Sequence, residues 1–208
     1  AIQLGGPVDE TSATGNQIVD HCSATWGSDE TVSVNQHPAS QYDLGLGNRP
    51  AVTIANTLIA DGLRKSDLHP EGEHHFGTLL HQGFEHNLMG NLWANFHIRT
   101  PLVGGGQGSE TLVVNNLMHN IGHPYYTLRI SKRPGRRAAV IGNAFSGKVR
   151  SYWLHPRDKN ADSHVAVQGT GLPPITREQD YTNTDYTFVD DTDIEDVTRA
   201  FATAREKF

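Results

Sequence analysis

Six of the twelve histidines, His69, His74, His75, His81, His86 and His97, crowd into one short stretch, and such a density first suggests ligation of a transition metal. Zinc sites require three or four ligands converging at defined spacing, whereas adjacent residues such as His74 and His75 leave a strand on opposite sides. That argues against one shared metal, and His86, inside a β-rich pattern, reads as a structural histidine. The single cysteine, Cys22, excludes an intrachain disulfide and a cysteine-based zinc site. Its place between a turn and a strand predicts a small buried apolar group. By residue chemistry alone, Arg99 belongs to a surface ion pair.

The elements that must position these residues follow from composition and repetition. The chain has 208 residues, enough for one sizeable core, with 36% hydrophobic and only 19% charged residues. Its polarity is therefore carried by uncharged side chains, and 21 glycines favour short strands and frequent turns over helices. The net charge of −6 excludes a typical nucleic-acid binder, since the one dense basic run, Lys132, Arg133, Arg136 and Arg137, is broken by Pro134 and Gly135. No stretch has the roughly 20 consecutive apolar residues of a membrane span, and no signal-peptide pattern opens the sequence.

One short pattern returns five times: IVDHCS from Ile18, VTIANTLI from Val52, FEHNLM from Phe84, LVVNNLM from Leu112 and AVIGNAF from Ala139. With His21, Asn56, Asn87, Asn116 and Asn143 taken as equivalent, the intervals are 35, 31, 29 and 27 residues. A fixed strand pattern with insertions of variable length is the mark of a solenoid with loops at its corners. Asparagine tolerates left-handed backbone, and its amide both donates and accepts, so a stacked asparagine ladder is expected. Val32–Val34 and Tyr125–Ile130 alternate as strands do, and Val165–Val167 is a weaker strand.

Tyr152–Asp191, with Pro156, Pro173 and Pro174, reads as irregular structure draped over the coil. Ile194, Val197, Phe201, Ala204 and Phe208 recur every three or four residues after a Thr192/Glu195 capping box, predicting a short C-terminal amphipathic helix. The expected fold is an all-β right-handed parallel β-helix in one domain, 1–208. Its rungs occupy roughly 1–150, a covering segment 151–191 and the helix 192–208. Because Ala1–Leu4 looks like the end of a strand, further rungs are expected upstream.

Residues Ile18–Val34 read IVDHCSATWGSDETVSV, and Phe84–Gly106 read FEHNLMGNLWANFHIRTPLVGGG. Over roughly 1–143 the chain resembles the pectate lyases of polysaccharide lyase family 1, which are right-handed parallel β-helices. The resemblance implies a secreted enzyme that cleaves pectate or a related polyuronate by β-elimination. The proton next to the C5 carboxylate is removed, and O4 departs to leave an unsaturated sugar. Such a proton is poorly acidic until the carboxylate is neutralised. The resemblance assigns that task to Ca2+, a hard cation with oxygen ligands.

On the same resemblance, Arg99 of Arg99-Thr100-Pro101 matches the family's base. Arginine stays protonated in proteins, so a bidentate clamp on the substrate carboxylate stands as the alternative role. Asp29 falls where the family carries an acidic calcium ligand, with Glu30 adjacent to it as a second candidate and Ser33 where a further ligand would be, and the family's upstream pair of acidic ligands would fall at or before Ala1. Asp9 and Glu10 look like ordinary loop carboxylates. Asp20 and His21 match a structural Asp-His pair, with Asp20 expected to be buried. A substrate-binding lysine is replaced by Glu71, leaving Arg64, Lys65, His74 and His75 to supply positive charge. Trp26 either stacks on a sugar ring or covers the coil.

The implied partner is an acidic polysaccharide, with no nucleic acid and no membrane, and the implied state a monomer. The competing function is a non-catalytic carbohydrate-binding β-helix that has lost part of the site. Fold alone does not decide between them.

Overall fold

The computed structural model describes residues 1–5, 16–35, 51–67, 72–81, 83, 85–104, 108–122, 127–131, 136–147, 153–155 and 163–168. Seventeen short strands fall among them. They are β1 (Ile2–Gly5), β2 (Gln17–Asp20), β3 (Ser23–Thr25), β4 (Glu30–Asn35), β5 (Ala51–Ala55) and β6 (Leu58–Ala60). Next come β7 (Phe76–Leu80), β8 (Glu85–Met89), β9 (Leu92–Ala94), β10 (Leu102–Val103), β11 (Glu110–Val114) and β12 (Leu117–His119). The last are β13 (Arg129–Ser131), β14 (Arg136–Ile141), β15 (Ala144–Ser146), β16 (Trp153–His155) and β17 (Ser163–Gln168).

All pairings are parallel, and every third strand is a neighbour: β1-β4-β7-β10-β13-β16, β2-β5-β8-β11-β14-β17 and β3-β6-β9-β12-β15. The chain is thus a right-handed parallel β-helix with three sheets. Parallel stacking puts like residues above like. Val19, Ile54, Leu88, Val113 and Val140 form one buried column. Ala24, Ile59, Trp93 and Met118 form a second in the same core. The Trp93 indole N–H donates to Thr78 Oγ1 at 2.8 Å, so this large ring is buried without losing a hydrogen bond.

Each of the first turns has two residues, the leading one left-handed: His21, Asn56, Gly90, Asn115 and Gly142. From the second rung on, the second residue points inward, as Thr57 and then the asparagine ladder Asn91, Asn116 and Asn143. Each of these Oδ1 atoms accepts the backbone N–H one rung earlier, from Thr57, Asn91 and Asn116, at 2.9–3.0 Å. Their Nδ2 groups donate to the carbonyls of Ile54, Leu88 and Val113.

This register corrects the expected equivalence. Asn87 is a strand residue paired laterally with Thr53 and Leu112, and Asn91 takes its place in the ladder. His21 and Asn56 occupy the left-handed position, one residue before the ladder position. Asp20 is not buried but exposed, bonded to Asn56 Nδ2 at 3.0 Å and to His21 at 2.9 Å. Those bonds, Asn56 first, hold its carboxyl below the usual range. Cys22, expected inside, is exposed as well.

Two strands, β16 and β17, fall within the segment read as irregular, and β17 contains the weaker strand expected at Val165–Val167. Of the Tyr125–Ile130 segment, Arg129 and Ile130 lie in β13, and Tyr125 and Tyr126 lie outside the described residues. The C-terminal helix expected over 192–208, Asp9, Glu10 and Glu71 lie outside the described residues.

Candidate functional site

The second corner of the coil, where the β3-β6-β9-β12-β15 sheet gives way to the β1-β4-β7 sheet, carries the chemistry. Its left-handed residues are Trp26, Asp61, Asn95, Asn120 and Gly147. On the outer surface Asn95 Nδ2 donates to Asp61 Oδ1 at 2.9 Å and Asn120 Nδ2 to Asn95 Oδ1 at 2.8 Å, a second polar ladder. Trp26 begins this column where the following rungs carry Asx or glycine, and it is 70% exposed. A bulky residue with φ of 58° is a conformational outlier, a kind of strain that concentrates at functional sites.

After Trp26 the chain turns sharply into β4. A β-carbon on Gly27 would stand 2.6 Å from Thr31 Cα, so glycine permits the turn that delivers Asp29 and Glu30. Backbone bonds then tie the rungs together: Leu63 N–H to Gly27 O, His75 N–H to Leu63 O and His97 N–H to His75 O. Asp29 and His74 meet on this framework, with Asp29 Oδ1 2.8 Å from His74 Nδ1. His75 turns away from His74 and packs toward Phe96, with ring centroids 6.0 Å apart.

Glu30 on β4 and Phe76 on β7 are register partners, and Phe76 in turn bridges Ile98. Arg99 follows at once, left-handed with φ of 62° and preceding a cis Thr100-Pro101 bond. Its guanidinium pairs with Glu30, which is only 9% exposed, and lies over the Phe76 ring at 4.0 Å from the centroid. His74 packs on the same ring, with centroids 4.9 Å apart. The site is therefore a chain of contacts: Asp29, His74, Phe76, Arg99, Glu30. Both neighbours of the guanidinium interact favourably with a cation.

Of the expected binding residues, His74 joins this cluster. Arg64 is exposed and engaged by Glu73 at 2.8 Å, which lowers the Glu73 carboxyl and raises the guanidinium. Lys65 is exposed beside it. Burial, more than any charge, pushes the His75 imidazole down. Ser33 lies in β4, paired with Gln3 and Leu79. Phe76 was not legible as a site residue; its setting between two histidines and a glycine is the only local signal.

The described residues by themselves do not complete the calcium shell that the resemblance implies. Among the described residues no three His, Cys, Asp or Glu side chains converge on a point. Asp29 and Glu30 diverge, each already facing a basic side chain. A hard cation needs six to eight oxygens, more than these two carboxylates supply by themselves.

Comparison with known proteins finds sequence relatives only. No family model and no solved structure matches the chain. Curated relatives do. The chain is 30% identical over 164 residues to a protein named probable pectate lyase C from Aspergillus fumigatus, covering 78% of this chain and 33% of that protein. It is 33% identical over 154 residues to a probable pectate lyase C from Aspergillus flavus, covering 74% of this chain and 31% of the relative. The chain thus spans about a third of the length of the curated relatives it matches. Relatedness across most of the chain, on a β-helix with an acid–base cluster at one corner, supports kinship with the pectate lyase-like proteins.

Proposed function

We propose that the chain carries the catalytic corner of a secreted polysaccharide lyase that cleaves pectate or a related polyuronate by β-elimination. The observation that carries this reading is Arg99, held over Phe76 and against Glu30 at a corner of the coil. A guanidinium has five N–H donors in a planar fork, more than one carboxylate takes up. In this reading Arg99 engages the C5 carboxylate of the uronate as a bidentate clamp, neutralising the charge that otherwise opposes proton loss. Its charge-favouring surroundings suit the clamp better than the base role. Relatives named probable pectate lyase C support the reaction class.

The test is release of ultraviolet-absorbing unsaturated product from polygalacturonate. Activity that disappears in Arg99→Ala, with the circular dichroism unchanged, supports the reading; a folded wild-type chain inert on every polyuronate overturns it. The calcium assistance implied by the resemblance is checked in the same assay with and without a chelator.

The exposed Trp26 favours a second reading, a carbohydrate-binding module without turnover. Retardation of the chain in a polygalacturonate gel, lost in Trp26→Ala, with no unsaturated product would establish that reading instead.

A further inference from the structure

Beyond the Arg99 corner, the outer face of the β1-β4-β7-β10-β13 sheet carries an uncharged column. In these strands Val32, Val34, Thr78, Leu80, Val103 and Ile130 are buried in the coil, so the residues alternating with them face outward. These are Ser33, Leu79, Leu102 and Arg129, all half-buried and joined in lateral register, with the exposed Gln3 ahead of Ser33. Leu79 and Leu102 stand on consecutive rungs, about 4.8 Å apart across the ladder. They form one apolar strip, and the first charge in the column is Arg129, a rung further on.

We propose that the Leu79–Leu102 strip is a subsite for a methyl-esterified uronate, so that the chain prefers a partly esterified polymer to fully ionised pectate. This inference rests on the lyase reading above and names the substrate within it.

Continuity ties the strip to the candidate site. Leu79 lies three residues beyond Phe76 in β7, and Leu102 three beyond Arg99. Three strand residues span about 10 Å, further than one sugar ring, so the strip meets a neighbouring sugar of a polymer already engaged at Arg99.

A fully ionised polyuronate brings a carboxylate to every sugar. Against two leucines that carboxylate gives up water and gains neither a hydrogen bond nor a counter-charge, which is costly. An esterified unit carries no charge there and adds a methyl group, whose burial on leucine is favourable. The strip therefore selects both by attraction of the ester and by rejection of the ion. Arg99 suits an ionised unit, so the preference is for partial and not complete esterification.

The experiment measures kcat/KM on polygalacturonate and on the same polymer partly methyl-esterified, from the ultraviolet absorbance of the unsaturated product. Wild type should favour the partly esterified polymer by about 10-fold, the discrimination that one carbon group supports in an apolar site. Leu79→Lys and Leu102→Lys place an ammonium on the strip and should reverse the preference, chiefly through KM. Leu79→Thr keeps a strand-forming side chain and should reduce it, which preserves the test if lysine unfolds the coil. Leu117→Lys makes the same change at an exposed leucine on the β3-β6-β9-β12-β15 sheet and should leave the ratio as in wild type. Thermal melts check that each variant is folded. An active wild type with equal or higher kcat/KM on polygalacturonate overturns the ester subsite and leaves the lyase reading standing. A preference that survives in folded Leu79 and Leu102 variants, or that Leu117→Lys also loses, overturns its assignment to this strip. A folded wild type inert on both polymers overturns the lyase reading as well.

Discussion

Gly77 lies directly beneath Arg99: a β-carbon built on it would stand 2.6 Å from the Arg99 carbonyl oxygen and 2.7 Å from Thr100 Cγ2. The backbone amide of Thr78 donates to that same carbonyl, and the amide of Gly77 to Ile98 O. The strand edge of β7 and the loop bearing Arg99 are therefore pressed together at the one residue type that permits it. Gly77→Ala forces the loop outward and lifts the guanidinium off Phe76. Misplacement of a positioning group by about 1 Å can cost about 100-fold in rate, and a loss of that order in kcat/KM is expected with the β-helix retained. A variant with wild-type kcat/KM would show that the Arg99 position is not critical.

Arg99→Lys keeps the charge but removes the planar fork and its fit to a carboxylate. Its kcat/KM should fall at least 10-fold on polygalacturonate while the thermal midpoint changes little. Equal activity of the two would show that a point charge suffices, and with it that bidentate clamping is not used.

The buried ladder should outweigh the exposed one. Asn116→Ala strands the Asn91 N–H and the Leu88 carbonyl inside the coil. Each unsatisfied buried group costs about 1–3 kcal/mol, so a loss near 3 kcal/mol or more is expected in urea unfolding. Asn120→Ala removes an exposed bond to Asn95 and places alanine at a left-handed φ of 56°, and should cost only about 1–2 kcal/mol. Similar losses at the two positions would contradict the role given to burial.

His75 makes stability depend on pH. Burial against Phe96 holds its imidazole below the ordinary histidine range. The unfolded histidine takes up its proton near pH 6.5, the folded one only at lower pH, so between those values the unfolded state binds more protons and stability rises with pH. The contribution is complete above about pH 6.5 and is lost as pH falls through the lower folded value. His75→Asn tolerates the left-handed φ of 59° and cannot titrate. Melting between pH 7.5 and 5 should show a steeper acid decline for wild type than for His75→Asn; parallel curves would remove His75 from the account.

Much of the coil was legible because its turns impose residue types. A left-handed corner followed by an inward polar side chain selects the pairs Asn56-Thr57, Gly90-Asn91, Asn115-Asn116 and Gly142-Asn143, and these recur along the sequence. Local patterns went astray where two registers look alike. Asn87-Leu88-Met89 imitates Asn116-Leu117-Met118, and only the lateral hydrogen bonds distinguish the strand asparagine from the ladder asparagine. The exposure of Asp20 and Cys22 has the same origin, since one residue of register in a tight corner exchanges inside for outside.

By itself, then, the sequence determined the repeating coil, its corners and the residues with chemical potential, because each depends on near neighbours in the chain. Partnership was decided only by the tertiary structure. Asp29 and His74 are 45 residues apart, and Glu30 and Arg99 are 69 apart. Variable loops separate them, so no spacing rule could pair them. Stacking the rungs in parallel register reduces those separations to side-chain contact around Phe76, where Asp29 meets His74 and Glu30 meets Arg99.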